Sequence, residues 1–255
     1  MSSGSESKST AGKKKEGLLE SVKTIVYAVL IALVIRTLAY EPFNIPSGSM
    51  LPTLLIGDYV FVAKYPYGYS KHSLPWSPPI FSGRIFERPI TRGDIVVFKL
   101  PTDNRTDYIK RIVGLPGDHI QMINGVLNIN GKPVELTQVD DFVRQMPNGR
   151  FVRIRQYREV LPNGVAHMVL DLERNSIADN TPVYVVPEGH YFAMGDNRDD
   201  STDSRFLRHV GYVPAENIVG RADILFFSVD GSAHWWEIWK WPMAIRYSRI
   251  FKVLD

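Results

Sequence analysis

Cysteine is absent from all 255 residues. That excludes disulfides, a thiolate nucleophile and cysteine-based zinc sites, and a chain without thiols suits an oxidising compartment. An excess of charge is missing too: 30 Lys and Arg against 27 Asp and Glu leave a net +3, too little to argue for nucleic acid as a partner. Familiar hydrolase signatures are lacking as well. No G-x-S-x-G elbow occurs, and no H-E-x-x-H supplies a zinc protease with ligands. The single Ser-x-x-Lys runs from Ser5 to Lys8 in a polar tail, where neither side chain can be desolvated. There is no internal repeat.

What is present is enough for a real core, with 44% hydrophobic and 22% charged residues, and the length allows one or two domains. Lys8, Lys13, Lys14, Lys15 and Lys23 all precede the first long apolar run, which places the N-terminus in the cytoplasm and the rest of the chain outside. Residues 1–17, rich in Ser, Gly and Lys, read as a disordered, solvated tail. Leu18 to Tyr40 counts 23 residues and reads as a transmembrane anchor helix. Its uncharged centre, Thr24 to Ile35, would span only about 18 Å of a hydrocarbon core about 30 Å thick. Lys23 and Arg36 must therefore snorkel toward the headgroups. Two alternatives stay open: a cleavable secretory signal with Thr37-Leu38-Ala39 as its small-x-small site, and the buried helix of a soluble protein.

After Pro42 the pattern shortens to strand-like runs: Tyr59 to Lys64, Ile95 to Leu100, Tyr108 to Leu115, His119 to Ile123, Val126 to Ile129, Tyr184 to Val186, Tyr191 to Met194 and Ile224 to Ser228. Asn124-Gly125 and Asn130-Gly131 supply the positive φ angles of tight hairpins. The expected fold is mainly β: an antiparallel domain over 41–255 that carries an inserted β excursion over 119–186, where Pro147-Asn148-Gly149 and Pro162-Asn163-Gly164 mark further turns. Two stretches suggest contact with membrane lipids. One is the aromatic, Pro-rich loop 65–86, with Tyr65, Tyr67, Tyr69, Trp76, Phe81 and Phe86. The other is a segment over 235–252 with Trp235, Trp236, Trp239 and Trp241, since tryptophan favours the headgroup layer. Ordinary core packing is the alternative for both.

Three segments carry chemistry. In Phe43-Asn44-Ile45-Pro46-Ser47-Gly48-Ser49-Met50-Leu51-Pro52-Thr53-Leu54, Gly48 lets the backbone turn so that Ser49 presents its hydroxyl and its own amide, and Pro46 and Pro52 stiffen the flanks. In Asp107-Tyr108-Ile109-Lys110-Arg111-Ile112-Val113, a strand puts Lys110 on the face shared by Tyr108 and Ile112. There desolvation can lower an amine's pKa and make it a base, which a guanidinium such as that of Arg111 cannot become. The third, Met194-Gly195-Asp196-Asn197-Arg198-Asp199-Asp200-Ser201-Thr202-Asp203-Ser204-Arg205, is dense in carboxylates. A calcium loop is its alternative reading, but Arg198, Ser201 and Leu207 stand where an EF-hand wants a ligand, Gly and Glu. Of the six histidines, His119 and His209 lie close enough to these segments to keep a His-based triad open.

In order and spacing the three segments resemble the active-site motifs of the bacterial type I signal peptidases, over most of residues 18–228. The resemblance implies a membrane serine endopeptidase with Ser49 as nucleophile and Lys110 as general base. It implies an oxyanion hole formed by the Ser49 amide and the Ser47 hydroxyl, with Ser201 hydrogen-bonded to the Lys110 amine and an Asp203–Arg205 pair holding the loop. It implies an uncleaved anchor, a catalytic domain on the outer face of the cytoplasmic membrane, and the signal peptides of exported preproteins as substrates, with small residues first and third before the cut. No cofactor and no metal are needed. Self-cleaving repressor-type Ser/Lys proteases share a similar core, although the anchor and the long excursion count against them. A non-catalytic, anchored peptide-binding β-domain is the remaining alternative.

Overall fold

Apolar side chains cover the whole circumference of the first helix. The structure, a computed structural model, describes residues 7–145, 150–173, 175–234 and 236–254. Residues 1–6, the Pro147-Asn148-Gly149 turn and Trp235 lie outside the described residues. Helix α1 runs over Ser7–Leu38, so it includes part of the stretch read as a tail. The Lys-, Ala- and Glu-containing stretch before Leu18 is made largely of good helix formers, and extending an existing helix needs no new nucleus. Within α1 the 19 residues Glu20–Leu38 are long and apolar enough to cross a membrane. Ile25, Tyr27, Val29, Leu30, Ile31 and Val34 point in all directions around the axis and all are exposed. A helix apolar on every side with no protein against it has lipid as its complement, and no element of the β domain covers it as a soluble core helix would require.

The helix ends against the β domain in a built joint. The Lys64 N–H donates to Ala39 O at 3.0 Å, Tyr69 Oη donates to Leu38 O at 2.8 Å, and Glu41 takes both Arg36 and Lys64, the latter at 2.9 Å. Then follow β1 (Tyr40–Asn44), β2 (Asp58–Ala63), the small hairpin β3 (Tyr69–Ser70) and β4 (Arg84–Ile85), β5 (Ile95–Lys99) and β6 (Asp107–Gly114). The excursion holds β7 (His119–Ile123), β8 (Val126–Ile129), β9 (Lys132–Pro133), β10 (Glu135–Gln138), β11 (Phe142–Gln145), β12 (Phe151–Val160), β13 (Ala166–Asp171) and β14 (Tyr184–Val185). The chain returns through β15 (His190–Met194), β16 (Val213–Pro214), β17 (Ile218–Ser228), the short helix α2 (Trp241–Ala244) and β18 (Lys252–Val253).

The main sheet has eight strands in the order β1-β2-β17-β5-β6-β15-β16, with β18 also on β17. Pro42 sits inside β1. That strand is the edge of the sheet, where a missing N–H is tolerated. The excursion forms two further sheets, β10-β12-β11 with β13 on β12, and β14-β7-β8-β9. Asn124-Gly125 and Asn130-Gly131 turn their hairpins with positive φ at all four positions. Period-two alternation sends Val60, Val62, Val97 and Leu225 into one core beside Met50 and Leu54. The outward partners Tyr59, Phe61 and Phe226 stack in a row that starts at Tyr40.

The 65–86 loop divides. Tyr67 is buried and its hydroxyl donates to Asp94 at 2.7 Å, whereas Trp76 and Phe86 are 92% and 80% exposed. Arg84 ties the base of the loop down through the carbonyls of Tyr67, Gly68, Ala215 and Ile218 at 2.7–3.1 Å. Replacing Arg84 by Ala strips four acceptors of a charged donor and should cost about 2–4 kcal/mol of stability, read from the urea midpoint of the full chain. An unchanged midpoint would show the loop to be held by its tyrosines alone.

Candidate active site

Ser49 is fixed by the residues that follow it. Met50 and Leu54 are fully buried in the core under β2 and β17, while Leu51 turns the other way and packs with Ile154 and Leu170 of the excursion. A short loop gripped by two cores on opposite sides has little freedom, so the sequence Met-Leu-Pro-Thr-Leu makes the position of Ser49 a consequence of packing. The Gly48 carbonyl accepts from Leu51 N–H at 3.1 Å, and Met50 O accepts from Leu54 N–H at 2.9 Å. Ser49 itself is only 8% exposed.

Lys110 comes from the middle of β6 and is 3% exposed. Its Nζ donates to Ser49 Oγ at 2.7 Å and to the Ile109 carbonyl at 2.9 Å, and it lies 5.4 Å from the centroid of the Tyr108 ring. Burial pushes its pKa down to about 8, against the upward pull of Asp203 and Asp196. When the amine is neutral the hydrogen bond reverses and the serine hydroxyl donates to the nitrogen lone pair. Ser47 Oγ stands 3.5 Å from Ser49 Oγ, and among the described residues no backbone carbonyl accepts the Ser49 N–H. All of these groups open on a groove of about 360 Å³. One wall is Phe43 to Ser47 at the end of β1, and the other is Asp107 to Ile109 on β6.

The loop after β15 templates the Ser49 loop. Asn197 N–H donates to Ser49 O at 3.1 Å and Asn197 Nδ2 to Gly48 O at 3.0 Å. Asp203 pairs with Arg205 through both oxygens at 2.9 Å and accepts the Gly195 N–H at 3.0 Å. Burial alone would raise the Asp203 carboxyl, but the Arg205 guanidinium outweighs it and holds the group below the usual carboxylate range. On the opposite face of β6 from Lys110, Arg111 grips Asp196 through two bonds of 2.8 and 2.9 Å, and this pair likewise overrides burial and holds Asp196 low. Thr53 donates to the same carboxylate. Asp199 accepts the Leu172 and Glu173 N–H groups. Asp196 and Asp203 are committed through both oxygens to donors within the chain, as a calcium loop's ligands are not.

Ser201 is buried beside the dyad. Among the described residues the hydrogen bonds of the Lys110 amine go to Ser49 and to the carbonyl of Ile109. His119 and His209 are exposed and line no part of the groove, so the nitrogen that meets Ser49 belongs to lysine. Sequence reading passed over Arg111, Thr53 and Asn197 as parts of the site. Each is polar and becomes buried or half-buried only because β15 lies beside β6, a pairing with no local signal.

A buried amine bonded to a serine hydroxyl, within an antiparallel β domain behind an apolar helix, defines a membrane-attached Ser/Lys hydrolase site. Comparison with known proteins agrees: residues 18–227 match the family described as signal peptidase, peptidase S26. Signal peptidase I of Rickettsia typhi is 41% identical over 95% of this chain and 96% of its own length. Signal peptidase I of Rickettsia conorii is 41% identical over 91% of both chains. A crystal structure of a signal peptidase I from Enterococcus faecalis shares 25% identity and covers 52% of this chain and 97% of its own, at a TM-score of 0.31. The chain belongs to the signal peptidase family, peptidase S26. It is a membrane-anchored serine peptidase.

Gly195 is the tightest point of the site, since a Cβ there would stand 2.2 Å from Ser201 Oγ and 2.5 Å from the Ser49 carbonyl oxygen. Gly195→Ala should push Ser49 off its line to Lys110 and lower kcat about a hundredfold, measured on a preprotein by gel. Parental turnover would show that the loop yields without moving the serine.

Proposed function

We propose that this chain removes the signal peptides of exported preproteins at the outer face of the bacterial cytoplasmic membrane, with Ser49 as nucleophile and Lys110 as general base. The observation that carries the reading is the 2.7 Å contact between a buried lysine amine and a serine hydroxyl. The substrate lies extended between the end of β1 and the start of β6. Ser49 Oγ bonds to the scissile carbonyl carbon as Lys110 Nζ takes its proton, and the carbonyl electrons move onto oxygen, which the Ser49 N–H and Ser47 hydroxyl stabilise. Collapse breaks the peptide bond and Lys110 returns its proton to the departing amine of the mature protein. Water, losing a proton to the neutral lysine, then attacks the ester carbonyl, and collapse breaks the bond to Ser49 Oγ, which takes that proton back from Lys110 as the signal peptide leaves with its new carboxylate. No cofactor enters these steps. Small residues first and third before the cut suit a narrow groove walled by backbone.

The membrane also acts as a surface for the β domain. An aromatic band runs from Tyr40 at the end of the helix through Phe61 and Phe226 to Tyr59 and Phe227. It continues into an apolar cavity of about 260 Å³ shared by Tyr59, Phe227 and Trp241. Trp236, Trp239 and Met243 stand exposed beyond it. This arrangement supports headgroup contact for the C-terminal segment rather than core packing, and it keeps the groove near the emerging substrate. The positive-inside bias of the lysines before Leu18 supports a cytoplasmic N-terminus.

Two outcomes are expected. Ser49→Ala and Lys110→Arg both abolish cleavage of a preprotein, and in the parent kcat/KM rises with pH through about 8. Below that value Lys110 is an ammonium without a lone pair, and above it the base is free. Turnover by the arginine variant, or a rising limb that survives it, would move the base elsewhere. Separately, the tryptophan emission of a chain lacking residues 1–40 should shift to the blue on adding anionic liposomes. An unshifted spectrum with full activity in plain buffer would leave α1 as the sole membrane attachment.

A further inference from the structure

We infer that the inserted β excursion clamps the catalytic loop, and that Glu159 on β12 and His167 on β13 are positioning residues for the Ser49 and Lys110 pair. The inference rests on the dyad reading above and gives the excursion a task in it. Strand β13 holds the loop by its backbone: Leu170 N–H donates to Asp196 O at 2.8 Å, and Arg198 N–H donates to Leu170 O at 3.0 Å. Asn197, the residue between, is the one that bonds the carbonyls of Gly48 and Ser49. The side chains add a second hold. Glu159 and Arg198, both buried, meet through two bonds of 2.8 and 2.6 Å, and Arg198 Nε reaches Gly195 O at 3.3 Å.

His167 faces Glu159 across the strand pair. Its Nε2 lies 3.3 Å from Glu159 Oε1 and 3.8 Å from Asp196 Oδ1, so one imidazole stands between the carboxylate that holds Arg198 and the carboxylate that holds Arg111. Buried ion pairs of this kind seldom add stability over apolar residues of the same size. What they supply is direction, and here the direction is along the loop toward Ser49. Among the described residues, none that lines the groove comes from 119–186. Damage to the clamp must therefore appear in the chemical step and not in binding.

The test uses the full chain in detergent micelles with a preprotein substrate. The double variant Glu159→Leu with Arg198→Met removes the pair without stranding a buried charge, and is expected to melt near the parental temperature. Its kcat should fall at least about tenfold with KM within about twofold, because an ångström of misplacement is enough to lose that much. His167→Asn, with the Glu159–Arg198 pair intact, should lower kcat by about threefold, again at constant KM. A double variant with parental kcat overturns the inference, as does one whose loss lies in KM. A double variant that fails to fold also overturns it, since the pair would then serve the fold. If instead the parent leaves the preprotein uncut, or Ser49→Ala cuts it, the dyad reading fails and takes the clamp with it.

Discussion

A lysine can take a proton near neutral pH only if its charged form is made expensive, and removing water from Lys110 is the constraint around which this β domain is organised. Desolvation by the strand face of β6, the Tyr108 ring and the Ser49 loop lowers the amine to about 8. Carboxylates nearby work in the opposite direction, since each would favour the ammonium. The catalytic loop nevertheless carries Asp196 and Asp203, both fully buried. Their charge is offset by guanidinium groups bound through two hydrogen bonds apiece, Arg111 on Asp196 and Arg205 on Asp203. The acids can therefore shape the loop while the lysine next to them remains able to lose its proton.

Geometry follows from the same packing. Neighbouring residues of β6 point to opposite faces, so Lys110 reaches Ser49 and Arg111 reaches the loop that fixes Ser49 from behind. One strand thereby sets both the lysine proposed as base and the support of the serine proposed as nucleophile, and a change in its register would exchange them. The nucleophile loop answers with Met50 and Leu54 in the main core and Leu51 in the excursion. The C-terminal stretch closes the arrangement, with Arg249 bonding the Thr53 carbonyl and the Asp58 carboxylate. Membrane, sheet and site are thus joined through short segments: the helix end grips Glu41 and Lys64, β1 leaves directly for the loop, and the loop meets Lys110.

Much of this was legible in the residues. Eight strand-like runs coincide with strands to within a residue or so at most ends, because alternation with β-branched and aromatic residues is a local property. The exception is β17, which begins at Ile218 rather than Ile224. The two Asn-Gly turns were read from their own φ requirement, and Ser49 and Lys110 stand out by motif. Less was visible where the partner lies far away in sequence. Glu159 occurs among Arg153, Arg155 and Arg158 on a strand that alternates weakly, and nothing local marks it as the residue that turns inward. The bond from the Lys110 amine to the Ile109 carbonyl likewise has no mark in the sequence.

Sequence alone determined the apolar helix, the β character of the remainder, the turn-bound serine and a lysine on an apolar strand face, since each depends on residues within a few positions. Tertiary structure decided that the lysine loses its water and that its nitrogen lies against Ser49, 61 positions earlier in the chain. It also decided which acids meet which arginines, for the choice rests on β15 pairing with β6 and on β13 running beside residues 196–198. Desolvation and pair geometry are properties of three-dimensional neighbourhoods, and a pattern read along the chain does not contain them.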